Sequence, residues 1–197
     1  MAKPMNLSST PRWQSQFGQI IRQPGNANAL KEAAIQKRLG DWTKALTATV
    51  IATCDAMDWH ASAKGHPLDS LPVSREEYLA LDVIAFERGD KQWRLPIAVM
   101  ELENSQKDDL MAYALWKMLC VRVDLRVLFC YRENPNQASS LVAWLCHQVI
   151  RPLTIEQRMQ PGETIVVVGS RGESETFPDG FFKWWKLEQN TGTFRLM

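Results

Sequence analysis

Apolar residues recur at helical spacing through the first third of the chain. Ile35, Leu39, Trp42, Leu46, Val50, Cys54 and Met57 follow one another at steps of three or four, which places them on one stripe of an α-helix starting near Asn28. Gly40-Asp41 falls inside that stripe and marks a point where the helix can break or be capped anew. Ahead of it, residues 1–26 are rich in Ser, Gln, Pro and Gly and read as an irregular arm. Behind it, a polar stretch with Gly65 and Pro67 ends the helix.

The pattern then changes. Residues 77–86 (EYLALDVIAF) and the run RLPIAVMELEN, joined by a turn-rich ERGDKQ, predict an antiparallel hairpin. Residues 107–121 read as a helix and 125–131 (LRVLFCY) as a buried strand. A further helix runs through SSLVAWLCHQVI and closes at Arg151-Pro152. TIVVVGS is another strand, and FFKWWKL and TGTFRLM form a closing hairpin across Asn190-Thr191-Gly192. The order helix, strand, strand, helix, strand, helix, strand, strand predicts the α/β class, a mixed sheet flanked by helices, built as one domain over residues 27–197.

Composition narrows the function classes. With 45% hydrophobic and 23% charged residues in a chain of 197, collagen-like, disordered and disulfide-scaffold architectures are excluded. The net charge of +1 provides no global field toward nucleic acid or membrane. The distribution is uneven, though. Residues 1–50 hold seven basic side chains and two acidic ones, so a basic face is expected there, or simply a solvated helix surface. Cys54, Cys120, Cys130 and Cys146 lie far apart among apolar neighbours, which predicts buried free thiols in a reducing compartment. The polar N-terminus and the absence of a run of about 18 apolar residues predict a cytoplasmic protein with no membrane partner.

The acids of the hairpin carry the candidate chemistry. Period two along RLPIAVMELEN puts Ile97, Val99, Glu101 and Glu103 on one face, and Ala98, Met100 and Leu102 on the other. Asp82 is framed by Leu81 and Val83, with Ala80, Ile84 and Phe86 on its own face. A hairpin centred between Lys91 and Gln92 sets Asp82 opposite Glu101. Carboxylates converging there repel one another unless a cation neutralises them, and hard oxygen ligands suit Mg²⁺ or Mn²⁺.

On these residues the chain resembles the PD-(D/E)XK nuclease superfamily, which has the restriction-endonuclease-like fold. That family's core is a helix, a three-strand meander, a crossover helix and a fourth strand (α-β-β-β-α-β). Residues 28–132 match this order, leaving a C-terminal extension of helix and extra strands over 133–197. The resemblance implies DNA as partner and phosphodiester hydrolysis as activity. It puts Asp82 in place of the family's first acid and Glu101-Leu102-Glu103 in place of the (D/E)-x-K triplet. Metal would then fall to Asp82, Glu101 and the carbonyl of Leu102. The departures are Leu81-Asp82 where Pro-Asp is commonest, and Glu103 where the lysine belongs.

Lys117 is the candidate for that missing lysine, as the sole charged residue in LMAYALWKMLCV. It falls among Leu110, Tyr113, Ala114 and Val121 on a helical wheel, with Lys107 as a weaker rival. Snorkelling is the ordinary alternative for such a lysine. Glu32, three residues before Ile35, continues the stripe and can serve as an accessory acid, or simply as a first-turn glutamate. The rival function is an inactive nuclease-fold protein acting as a binding or assembly module, whether as homodimer or in a larger assembly. Phe181-Phe182-Lys183-Trp184-Trp185-Lys186 alternates aromatics and cations, as a strand-stacking surface or, more simply, a core strand would.

Overall fold

A computed structural model of the chain describes residues 9–197. Three helices come first: α1 (Ser9–Ile21), α2 (Pro24–Ile35) and α3 (Leu39–Ala56). Then follow β1 (Trp59–Ala63), β2 (Val83–Glu87), β3 (Ala98–Leu102), α4 (Asp108–Leu119) and β4 (Leu125–Arg132). Next come α5 (Pro135–Leu145), which continues as a π-helical turn to Ile150, the short α6 (Ile155–Arg158) and β5 (Glu163–Ser170). A 3₁₀ segment over Arg171–Thr176 leads to β6 (Phe182–Glu188) and β7 (Thr193–Leu196).

The seven strands lie in one mixed sheet in sequence order. β1, β2 and β3 are antiparallel neighbours; β3, β4 and β5 run parallel; β6 and β7 close the sheet antiparallel. Parallel neighbours require crossovers, and α4 and α5 supply them. Both pack on one face, as two successive crossovers of the same hand must. Helices α1, α2 and α3 cover the other face.

The two faces are filled differently. On the α1–α3 side, Trp13, Phe17, Trp42, Phe129, Tyr131 and Phe181 belong to a continuous aromatic cluster. Trp13 stacks on Phe17 with ring centroids 5.3 Å apart, and Trp42 meets Tyr131 edge-on at 5.4 Å. The α4–α5 side is mostly aliphatic, with Val99, Met111, Leu115, Leu128, Leu145 and Val166 all inaccessible to solvent. The aromatics of FFKWWKL are therefore core: Trp185 is buried, and Lys186 turns onto Glu163.

Several expectations are corrected here. Residues 9–21, expected as irregular, form α1, because Trp13, Phe17 and Ile21 repeat at helical spacing and bury against the sheet; the rest of that expected arm before Ser9 lies outside the described residues. The single helix from Asn28 is two helices. The chain breaks at Lys37, which takes a left-handed φ of 55°, while the Arg38 N–H reaches back to the Ala33 carbonyl. This is a helix stop of Schellman geometry without the glycine that usually signals it. Ile35 and Leu39 flank the break and stay exposed, so the buried stripe begins at Trp42.

The strand expected over 77–86 occupies only Val83–Glu87. Leu79 and Ala80 have φ of 57° and 53°, which no strand tolerates. The hydrophobic pattern gives no sign of β1, the first of the three strands before α4 that the resemblance implies: WHASA carries little alternation, and it is held by β2 and by its buried Ser62, whose hydroxyl donates to the carbonyl of Glu76. Among the cysteines, Cys54, Cys130 and Cys146 are buried free thiols as expected, whereas Cys120, at the end of α4, is exposed. No helix among the described residues is long and apolar enough to cross a membrane.

Candidate functional site

The hairpin register is the one the sequence implies. Val83 pairs with Met100, Ile84 with Val99 and Ala85 with Ala98, so Asp82, one residue before β2, stands opposite Glu101. The two segments are tied through their acids. The Asp82 Oδ2 accepts the Leu102 N–H at 2.7 Å, and the Asp82 N–H approaches Glu101 Oε1 at 3.4 Å. Asp82 thus extends the ladder with its side chain where the left-handed Ala80 has ended regular pairing.

Glu101 is the buried member, 5% exposed on the face covered by α4. Lys117 reaches it from that helix, with Nζ 2.9 Å from Glu101 Oε1 and 2.6 Å from the Ala80 carbonyl. The ammonium also lies 5.9 Å from the centre of the Tyr113 ring. Lys117 can do this because it borders the buried stripe Met111, Ala114, Leu115 and Met118, so its stem packs while its head turns to the sheet. Burial pushes the Glu101 carboxyl up to about 7 from an ordinary 4.5; the Lys117 hydrogen bond opposes this rise and the nearby Asp82 charge adds to it.

The remaining sequence candidates fall elsewhere. Glu103 lies just beyond β3, half-buried, and its carboxylate accepts the Ser105 N–H at 2.7 Å, with no hydrogen bond or ion pair to Asp82, Glu101 or Lys117. Its own N–H continues the ladder to Phe129. Leu102 is buried, with its side chain in the aromatic layer. Lys107 is exposed at the start of α4. Glu32 does not continue a buried stripe: it is exposed on α2 and pairs with Arg38 at 2.9 Å. Two cations of the basic N-terminal part are held in ion pairs, Arg22 with Asp179 and Arg38 with Asp41 as well as Glu32.

Asp82 and Glu101 each keep one carboxylate oxygen without a hydrogen bond among the described residues. No group of three or more His, Cys, Asp or Glu side chains among these residues is arranged to hold a metal ion. The convergence is therefore two acids and a lysine, not three acids.

Two features escaped the sequence. On α4 beside Lys117, Tyr113 and Trp116 are exposed with rings 6.0 Å apart. The signal was present, since Leu110, Tyr113 and Trp116 lie at i, i+3 and i+6, off the buried stripe. The second is Arg126, wholly buried at the start of β4 inside what reads as an apolar strand. No family model, curated protein or solved structure matches this chain.

Proposed function

We propose that the protein is a metal-dependent phosphodiesterase acting on DNA, of the PD-(D/E)XK type. The observation that carries this reading is the approach of Lys117 to Glu101 at 2.9 Å beside Asp82. An acid pair and a lysine from three separate elements meet at the end of the central strands. Ion pairs that only stabilise a surface rarely bury a carboxylate this fully, because its desolvation costs several kcal/mol.

In this reading Asp82 and Glu101 hold Mg²⁺ or Mn²⁺. Two carboxylates are a sufficient protein donor set for Mg²⁺, which retains several waters. The ion supplies Lewis acidity and a more acidic water. Lys117 places a positive charge where the scissile phosphate gathers negative charge. Glu103, two residues beyond Glu101 in the chain, is left as a proton acceptor. The exposed Tyr113 and Trp116 offer a stacking platform for bases beside the acids.

Supercoiled plasmid with Mg²⁺ or Mn²⁺ tests the proposal. Nicking is expected from the native chain and is expected to fall at least about a hundredfold in Asp82→Ala, Glu101→Ala and Lys117→Ala. Nicking that persists in both acid variants overturns it.

One observation favours a second reading. Lys117 already sets a cation beside Glu101, and an internal cation of that kind makes a metal unnecessary for folding. The nuclease-like fold would then act as a binding or assembly module. Calorimetric titration with Mn²⁺ separates the two: heat that depends on Glu101 belongs to the first, and its absence to the second.

A further inference from the structure

The parallel strands β3, β4 and β5 all end at one edge of the sheet, and on the α2–α3 side of that edge lies a cleft of about 380 Å³. This is within the roughly 300–1,000 Å³ typical of small-molecule sites. It occupies the place where α/β sheets bind ligands, outside the carboxyl ends of the parallel strands. Each of the three strands sends residues to it: Gln106 follows β3, Tyr131 ends β4, and Arg171 follows β5. Glu101 and Lys117 sit on the opposite face of the sheet, so the cleft is a separate site.

Its lining is sorted by chemistry. Trp42, Tyr131 and Phe181 form an aromatic floor, and Ala33, Ala34 and Leu39 from the α2–α3 junction form an aliphatic wall. The floor depends on Gly169, where a Cβ would lie 2.6 Å from Phe181 and 2.7 Å from Tyr131. Two cations stand at the cleft, and neither is paired with a carboxylate among the described residues. Arg171 lies over the Tyr131 ring at 5.5 Å and reaches the Asn104 carbonyl at 3.4 Å; Lys37 projects from the left-handed turn between the helices. The amides of Gln106 and Gln137 and one carboxylate, Glu133, complete the lining.

We infer that this cleft binds a nucleotide, its base in the slot between the aromatic floor and the alanine wall and its phosphate on Arg171 and Lys37. A flat ring suits the slot, amides and Glu133 suit the donors and acceptors of a base edge, and a guanidinium is the preferred phosphate partner. The ligand is either a free nucleoside monophosphate or the terminal nucleotide of a strand, since both present the same base and phosphate.

Calorimetry on the full chain tests this with three nucleotide probes, AMP, GMP and a 5′-phosphorylated trinucleotide, and with inorganic phosphate for comparison. Saturable binding of either monophosphate is expected if the ligand is free, and tighter binding of the trinucleotide if it is a strand end. Arg171→Gln should weaken binding about tenfold or more through the lost charged contacts. Arg171 also touches Asn104 and Tyr131, so Ala34→Leu serves as an independent variant: it narrows the slot, keeps both cations, and should weaken binding comparably. Asp82→Asn, on the other face, should leave it unchanged, so that failure here and failure of the nuclease proposal remain distinct. Absence of saturable binding by all three nucleotide probes, equal affinity for inorganic phosphate, or indifference to both cleft variants overturns the assignment.

Discussion

Among the described residues, two charged side chains are buried on the α4–α5 face of the sheet, and they are treated in opposite ways. Arg126, at the amino end of β4, is enclosed by acceptors. Its guanidinium donates to the carbonyls of Met118 at 3.0 Å, Pro161 at 3.1 Å and Val121 at 2.6 Å, and reaches the Gln160 side chain at 3.4 Å. No carboxylate forms an ion pair with it among the described residues; backbone dipoles supply the direct contacts, and although burial lowers its pKa the Asp124 charge opposes that fall. Glu101, at the carboxyl end of β3, has one ammonium and one long N–H contact. A buried charge with all its donors satisfied holds structure together, whereas one left under-satisfied can change protonation or partner. The amino-terminal edge of the parallel strands thus uses its charge to tie loops, and the carboxyl-terminal edge leaves its charge with fewer partners.

Three measurements can break or sharpen this contrast. Arg126→Ala leaves several buried carbonyls without donors and should cost about 3–4 kcal/mol in urea unfolding. A cost below about 1 kcal/mol would mean that water replaces the guanidinium and the contrast is lost. Glu101→Gln should act through pH. The unfolded chain releases this proton near 4.5 and the metal-free folded chain near 7. The folded state therefore binds more protons between those values, and its stability falls as pH rises through them. Stability from the neutral carboxyl is fully present below 4.5 and lost above about 7, a swing of about 3 kcal/mol. The difference between native chain and Glu101→Gln, followed by urea midpoints in chelator from pH 4 to 8, should show that swing; a flat difference would place Glu101 in an ordinary environment. Glu103→Gln removes a single half-exposed acceptor and should shift stability by less than about 1 kcal/mol. A larger loss would make Glu103 part of the buried cluster after all.

The site was legible to the extent that it depends on period and register. Alternation along IAVMELE puts Glu101 on the face of Val99, and a hairpin centred between Lys91 and Gln92 sets Asp82 opposite Glu101, the register the sheet adopts. Lys117 stood out as a lone charge in an apolar helix. Glu32 was misassigned because the helix stop at Lys37 carries no glycine, and extending the stripe across it turned a surface residue inward. The cleft could not be seen at all, because its walls come from α2, α3, β4, α5 and the ends of three strands scattered between Ala33 and Phe181.

By itself the amino-acid order determined which residues alternate, which recur at helical spacing and which acids share a face, since these follow from local backbone geometry and nearest-neighbour pairing. Only the tertiary structure decided that Lys117 sets a cation beside Glu101, that Arg126 is caged by carbonyls, and that three strand ends open onto one cleft. Those outcomes depend on how far apart separately folded elements come to rest, and that distance is set by the packing of whole helices on the sheet, with no counterpart in any short stretch of chain.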